Sequence, residues 1–576
     1  MIRKSWIALL ALLVLVVAAS WLWWVKPKKV DMAAYAPADS LLYLEANNPS
    51  EIIQAITGTD AWITFERAMG TSAPAARTRW LQGFVGWTGI GPIQSVILAR
   101  AQVAAVVTDL GTAEEGDTLR IRPEGAILIE THTAESRIRP PFEQALKTLA
   151  EKTYGRPTSK RVTLDGFEFS EWIAPDGFRQ IVGTIIGSLV IIGNTEYAVQ
   201  NCLAVSLHRR PSLKDDAELD RMRHQLAGEH LLTFGYVPPK NSAKLMAVGL
   251  PLLLGRAPGD SEFQRLITNG AAKVFGSLGW TSRAYLTGVE DRYSITLQPA
   301  IVVRLKPNFE SIGSAPRLER VLPEDFYSVT SYRFAAPAAT WQGLKSAVSS
   351  QVDILSTIIF SSLLKSALLS YGIEDPETFL GVVNGELLTV RLDESADRSL
   401  LIAGVKDRAA LRALVAKKMR PNARTDLATQ TETFEDPAGE FAASFINDLI
   451  VIGTPTDVRH YVETKQTTAS ILNAEKLERM TLFVSSSNSS IVTYTDDSDR
   501  VRSFISSILS AKGSAPAAPQ RIEEALADLP YSVTETTLSD RGIERITRSP
   551  LGQFSTLLPL LLPEQPGVTK TGAEPK

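Results

Sequence analysis

Apolar positions fall into three patterns along this chain, and each predicts a different element. The first is a run without formal charge from Trp6 to Val25. Its twenty residues make a helix roughly 30 Å long, enough to cross the hydrocarbon core of a bilayer. Arg3 and Lys4 precede the run, Lys26, Lys28 and Lys29 follow it, and Trp21, Trp23 and Trp24 stand where an aromatic belt meets the headgroups. The pattern predicts an uncleaved transmembrane anchor over 6–25 behind a short cytoplasmic leader, 1–5. Ala18-Ala19-Ser20 offers the small residues of a signal-peptidase site, but a cut there leaves Trp-Leu-Trp-Trp as the new start. Basic residues are nearly balanced across the span, so the orientation chosen, N-terminus inside, follows from the leader's resemblance to a signal anchor.

The second pattern is a short run of branched residues closed by glycine. Ser188-Leu189-Val190-Ile191-Ile192-Gly193-Asn194-Thr195 reads as a buried strand, a turn and a helix start, and Asp448-Leu449-Ile450-Val451-Ile452-Gly453-Thr454-Pro455 repeats it. Asn194 and Thr454 are the expected helix caps, and Pro455 suits a first turn. Three further similarities follow in the same order. Pro37-Ala38-Asp39 before the strand 41–45 corresponds to Pro323-Glu324-Asp325 before 327–331. Leu219-Asp220-Arg221-Met222 corresponds to Leu477-Glu478-Arg479-Met480, and Leu231-Leu232-Thr233-Phe234 to Ile491-Val492-Thr493-Tyr494. Colinear similarities at nearly constant offset predict a duplication.

The third pattern is helical. Trp341, Leu344, Val348, Val352, Leu355 and Ile359 recur at three and four residues along one face. Helix-like segments at 142–152 and 409–419 each follow an apolar strand, at 124–131 and 399–405, and 501–509 is another amphipathic helix. Asn48-Pro49-Ser50-Glu51 has the form of a helix start. The fold class predicted is α+β, an N-terminal transmembrane helix followed by two tandem, similar halves over 35–310 and 320–550. The end, 564–576, is expected to be a disordered tail.

Composition narrows the function classes. A chain of 576 residues is too long for one ordinary core, and 44% apolar with 21% charged residues is far too polar for a bundle of many spans. A net charge of −3 supplies no excess of cations for phosphates, which argues against nucleic acid as a partner. The one cysteine, Cys202, has no second cysteine for a disulfide or a thiolate metal site.

The N-terminal span, the Pro-Ala-Asp that opens a strand and the repeated Leu-Val-Ile-Ile-Gly type of strand together resemble an uncharacterised bacterial membrane-anchored family known only as a domain of unknown function. The resemblance covers about 30 to 560 and implies no substrate, cofactor or catalytic residue. It implies an envelope location: the bacterial inner membrane, single-pass, with the C-terminal body in the periplasm or extracytoplasmic space.

Candidate chemistry is sparse. Ser362-Leu363-Leu364-Lys365, Ser486-Ser487-Asn488 and Lys570-Thr571-Gly572 match in order the three motifs of penicillin-binding proteins. That chemistry needs the serine at the start of a buried helix and the Lys-Thr-Gly on a cleft strand. Here Ser362 falls inside or late in a helical pattern and Lys570 lies in the tail. The histidines, at 132, 208, 224, 230 and 460, lack the spacing and the acidic or cysteine company of a zinc site. Asp496-Asp497-Ser498-Asp499 lacks the glycine turn and later Glu of a calcium loop and reads as a solvated turn with a helix cap. Gly86-Trp87-Thr88-Gly89-Ile90-Gly91 lacks the third glycine and acidic partner of a dinucleotide fingerprint. His208-Arg209-Arg210 is a basic spot with acids close behind it. The apolar stretch 353–369 fits a helix buried between halves or a lipid-lining one, and 557–562 shares that ambiguity.

No catalytic, cofactor-binding or metal-binding residue is therefore assigned. The expected function is a non-enzymatic binding or scaffold protein of the cell envelope, held to the membrane through Trp6 to Val25, with an envelope protein or lipid as partner. A lipid or hydrophobic-ligand carrier is the alternative, and a serine acyl-enzyme a more distant one. A fluorescent penicillin is accordingly expected to label neither the protein nor its Ser362→Ala variant; label on the first and not on the second would restore the acyl-enzyme reading.

Overall fold

The computed structural model describes residues 29–46, 49–68, 97, 100–115, 118–164, 166–245, 269–285, 288–309, 311–312, 322–323, 326–352, 365, 367–394, 397–421, 431–467, 489–510 and 519–555. Branched and aromatic runs with period-two burial make strands, and twenty of them join in a single sheet. The first ten are β1 (Leu42–Ala46), β2 (Gln102–Glu115), β3 (Thr118–Glu130), β4 (Thr158–Leu164), β5 (Phe167–Ile173), β6 (Gln180–Ile186), β7 (Leu189–Gly193), β8 (Leu231–Val237), β9 (Phe275–Tyr285) and β10 (Gly288–Leu297). The second ten are β11 (Ser328–Arg333), β12 (Val383–Arg391), β13 (Ser399–Val405), β14 (Arg420–Pro421), β15 (Thr431–Glu435), β16 (Ala442–Ile446), β17 (Leu449–Gly453), β18 (Ile491–Thr495), β19 (Ser532–Leu538) and β20 (Gly542–Ser549).

Hydrogen-bonded neighbours run β4-β5-β6-β7-β3-β2-β1-β8-β9-β10, then β20-β19-β18-β11-β12-β13-β17-β16-β15-β14, every pair antiparallel. Each strand of the first series has a counterpart ten numbers on in the second, so a pseudo-twofold axis passes between β10 and β20. Side-chain positions repeat with the strands. Tyr43 lies between Val106 and Tyr236, and Val329 between Val390 and Tyr494. Each set anchors its own apolar core: the first with Leu128, Ile191, Val199 and Met222, the second with Ile402, Val451, Val458 and Tyr461.

The turns repeat as well. Between β5 and β6, Ala174 N donates to Arg179 O at 2.8 Å and Gly177 N to Ala174 O at 2.9 Å. Between β15 and β16, Asp436 N donates to Phe441 O at 2.8 Å and Gly439 N to Asp436 O at 2.9 Å. Gly177 and Gly439 sit in the left-handed region, φ +73° and +72°, which glycine enters without the strain a Cβ brings.

Several local elements lie where the sequence pattern puts them. A strand occupies Ser399–Val405, and helices span Glu135–Tyr154, Arg408–Ala416 and Ser498–Ser510. Capping differs between the repeats. Thr454 Oγ1 accepts from Asp457 N at 3.2 Å, capping the helix Pro455–Thr467. In the first half Thr195, not Asn194, is the cap, its Oγ1 accepting from Ala198 N at 3.2 Å. Asn194 instead staples β7 to β3, accepting from Gly125 N at 2.9 Å and donating to Pro123 O at 2.6 Å.

The expected architecture, a transmembrane helix followed by two tandem α+β halves, is corrected. Both halves share one antiparallel sheet, because the edges β10 and β20 pair over eight residues and neither half ends at its own strand edge there. No helix among the described residues is long and apolar enough to cross a membrane. The longest of them, Glu135–Tyr154, carries charges along its whole length. The single-pass anchor expected over Trp6 to Val25, and the membrane partnership drawn from it, thus gain nothing from the described helices, and that segment lies outside the described residues, as does the tail 564–576.

An added Cβ meets nothing within 4 Å at Gly177 or Gly439, so alanine there introduces backbone strain alone. Gly177→Ala and Gly439→Ala should each cost about 1–2 kcal/mol, and the double variant should be additive to about 0.5 kcal/mol, as measured by chemical denaturation.

Candidate functional site

The seam between the halves gathers four buried charged residues, Glu290, Asp291, Glu535 and Arg548. Pairing runs from Val289 opposite Ser549 to Thr296 opposite Gly542. On one sheet face Glu290 has Arg548 beside it on β20 and Arg283 beside it on β9. Glu290 is 0% and Arg548 4% exposed. Oε1 of Glu290 accepts from Arg283 Nε at 2.8 Å, Arg283 Nη2 at 2.6 Å and Arg292 Nε at 2.7 Å; Oε2 accepts from Arg548 Nε at 2.9 Å. Arg548 also donates through Nη1 to Glu535 Oε2 at 2.7 Å, and Ser489 Oγ donates to Glu535 Oε1 at 3.1 Å. The Arg548 guanidinium stacks 5.0 Å over the Tyr285 ring. Burial pushes the Glu290 carboxyl upward, but the bond and charge of Arg292, with the charges of Arg548 and Arg283, outweigh it and hold the group below the ordinary carboxylate range.

The pseudo-twofold breaks at this cluster. Tyr236, Gly279 and Ser294 form one row across β8, β9 and β10; Tyr494, Val533 and Arg548 form its counterpart across β18, β19 and β20. Ser294 therefore stands where the second half has Arg548, and Glu544 stands where the first has Glu290. Glu544 accepts from Gln225 Nε2 at 3.2 Å instead of from an arginine, and Gln225 Nε2 also donates to Ser294 Oγ at 2.9 Å. Arg541, in the β19–β20 turn, donates to Gln225 Oε1 at 2.8 Å and to Glu218 Oε1 at 3.0 Å. The helix Ala217–Gln225 of the first half is thereby tied to a turn of the second.

The opposite face carries a carboxyl with no such compensation. Asp291 is 0% exposed and accepts from Trp280 Nε1 at 3.2 Å and from Gln553 N at 3.0 Å. Burial pushes it up to about 6; bonds from Gln553 and Trp280 offset part of that, and the neighbouring Glu290 adds to it. An acid raised in the folded state binds its proton before the unfolded chain does, so this group works against folding above pH 6 and the burden is shed as the pH falls toward 4.

Residues singled out from the sequence do not converge. Lys365 is exposed, while Ser362, Ser486 to Asn488 and Lys570 to Gly572 lie outside the described residues, as do 86–91, 353–364 and 557–562. Of the rest of the apolar stretch, Leu368 is buried and Leu369 exposed. His132, His208 and His230 occupy left-handed turn positions, φ +53°, +56° and +56°. His224 lies in the last turn of one helix and His460 within another. Among the described residues no group of three or more His, Cys, Asp or Glu is placed to hold a metal ion. Asp496 Oδ1 accepts from Ser498 N at 2.8 Å, but Asp497 is buried, not solvated, and burial raises its carboxyl. Arg210 is spent on Asp39, at 2.9 Å, and on Asn201. Cys202 is buried, which pushes its thiol up to about 12 and leaves it unreactive.

The seam itself escaped sequence reading because Val289-Glu290-Asp291-Arg292-Tyr293 has the look of a solvated strand, and Glu290 and Arg548 are 258 residues apart. Comparison with known proteins finds no match: no protein-family model, no curated protein and no solved structure is similar to this chain.

Asp291→Asn keeps an acceptor for Trp280 and Gln553 while removing the charge. It should raise stability at pH 7.5 by about 2–3 kcal/mol, and the gain should shrink as the pH is lowered from 6 to 4, followed by chemical denaturation of both proteins across that range. Arg548→Met should cost about 3–5 kcal/mol by removing the cation that two buried carboxylates share, read out in the same way.

Proposed function

We propose that the protein is a non-enzymatic binding scaffold whose sheet presents one end of its first half to a protein partner. The observation that carries this reading is the contrast between two equivalent turns. At the β5–β6 turn Phe178 is 76% exposed, with Arg122 5.7 Å from its ring. At the β15–β16 turn the equivalent position is Glu440, and the next residue, Phe441, packs against a core. An aromatic side chain left in water at a hydrogen-bonded turn supplies the sort of anchor that protein interfaces bury. The most deeply buried ions of the seam, Glu290, Arg548 and Glu535, support the same reading, since they are engaged with one another.

A lipid-carrier role draws no support from the recess lined by Val237, Leu245, Phe275, Leu278 and Ile295. It encloses about 100 Å³, well short of the roughly 300–1,000 Å³ of a ligand pocket.

A photo-crosslinking residue placed at position 178 in the native host should yield a discrete protein adduct, and the same residue at position 440 should not. Adducts at both positions or at neither would remove the basis of the scaffold reading.

A further inference from the structure

We propose that Arg283 and Arg292 form an anion site at the seam, one per chain, that takes a carboxylate or phosphate group. This goes beyond the scaffold reading and does not depend on it. Both guanidiniums donate to the same oxygen, Glu290 Oε1, Arg283 at 2.8 Å and 2.6 Å and Arg292 at 2.7 Å. Two like charges are thus held side by side by one carboxylate, and a third, Arg548, draws on the other oxygen of that same group. Glu290 supplies a single negative charge to the three, and only Arg548 has a second carboxylate, Glu535.

Donors remain on the pair. Arg292 engages Glu290 through Nε, which leaves both terminal nitrogens; Arg283 engages it through Nε and Nη2, which leaves Nη1. Among the described residues neither arginine has another acidic partner. Their side chains are 23% and 32% exposed, against 4% for Arg548, so the two face solvent from a largely dehydrated floor. Fixed by a buried carboxylate, Arg292 retains a fork of two terminal nitrogens and Arg283 adds a single one, a donor set that suits the paired oxygens of a carboxylate or phosphate. Partial burial strengthens such bonds relative to water.

Pseudo-symmetry sets the stoichiometry. From the strand register, the positions equivalent to Arg283 and Arg292 are Thr537 and Ile546, so the second half does not repeat the pair.

The test is isothermal titration of the full chain with inorganic phosphate and, separately, with acetate, at constant ionic strength held by chloride. Saturable one-to-one binding of either anion at millimolar or lower concentration is expected. Arg292→Gln should weaken it about tenfold or more, and Arg545→Gln, an exposed arginine on the opposite face of the seam, should leave it unchanged. Arg292→Lys, which keeps the charge but loses the fork, guards against a folding defect and should weaken binding by a smaller factor. Which of the two anions binds tighter identifies the ligand chemistry. No saturable binding of either anion, or equal loss in Arg292→Gln and Arg545→Gln, would overturn the proposal.

Discussion

Two strand edges that would otherwise show unpaired N–H and C=O groups to water satisfy each other along β10 and β20, and the whole molecule is arranged about that contact. Pseudo-twofold symmetry makes the meeting possible, because equivalent edges related by such an axis run antiparallel and share one register. Separating the halves would expose eight residue pairs of backbone and would also open the Glu290 cluster. A carboxylate with no exposed surface tolerates burial only while its arginines stay in place. Those arginines come from β9, β10 and β20, so the network can close only when both halves are folded and docked.

Departure from symmetry at the seam then becomes intelligible. Had both halves carried the arginine, Glu544 would face a second cation; Ser294 stands there instead, and the space is taken by Gln225. That glutamine lets the Ala217–Gln225 helix reach across to Arg541, so one half's helix steadies the other half's turn. On the reverse face Asp291 is held by donors without a cation, a conflict between burial and charge that its two hydrogen-bond donors lessen without removing. Opposite faces of a few seam residues thus carry opposite electrostatic solutions, one compensated by ion pairs and one left costly.

Away from the seam the two halves keep backbone geometry and exchange side chains. The β5–β6 and β15–β16 turns share hydrogen bonds and a left-handed glycine, which are requirements of the turn, but differ at the next position, phenylalanine in one and glutamate in the other. Backbone demands are conserved between the copies where the chain has no alternative. Side chains have diverged both at solvent-facing turn positions and within the cores, where buried Tyr43 is matched by buried Val329.

Local elements were legible in the sequence because their causes are local. Runs such as Leu189–Gly193 and Leu449–Gly453 make strands through their branched side chains, Thr454 caps the helix after it, and the periodic apolar face of Val501 to Leu509 makes a helix. Polar strands such as Thr158–Leu164 were not legible, since they are held by pairing to β5 and carry no apolar signal of their own. Nor was the single sheet, because pairing of β10 with β20 depends on backbone groups that look alike at every residue, and only the folded chain decides which edges meet. Burial of Glu290 followed from that choice: its partner lies 258 residues away, and no local pattern distinguishes a glutamate that will face water from one that three arginines will enclose.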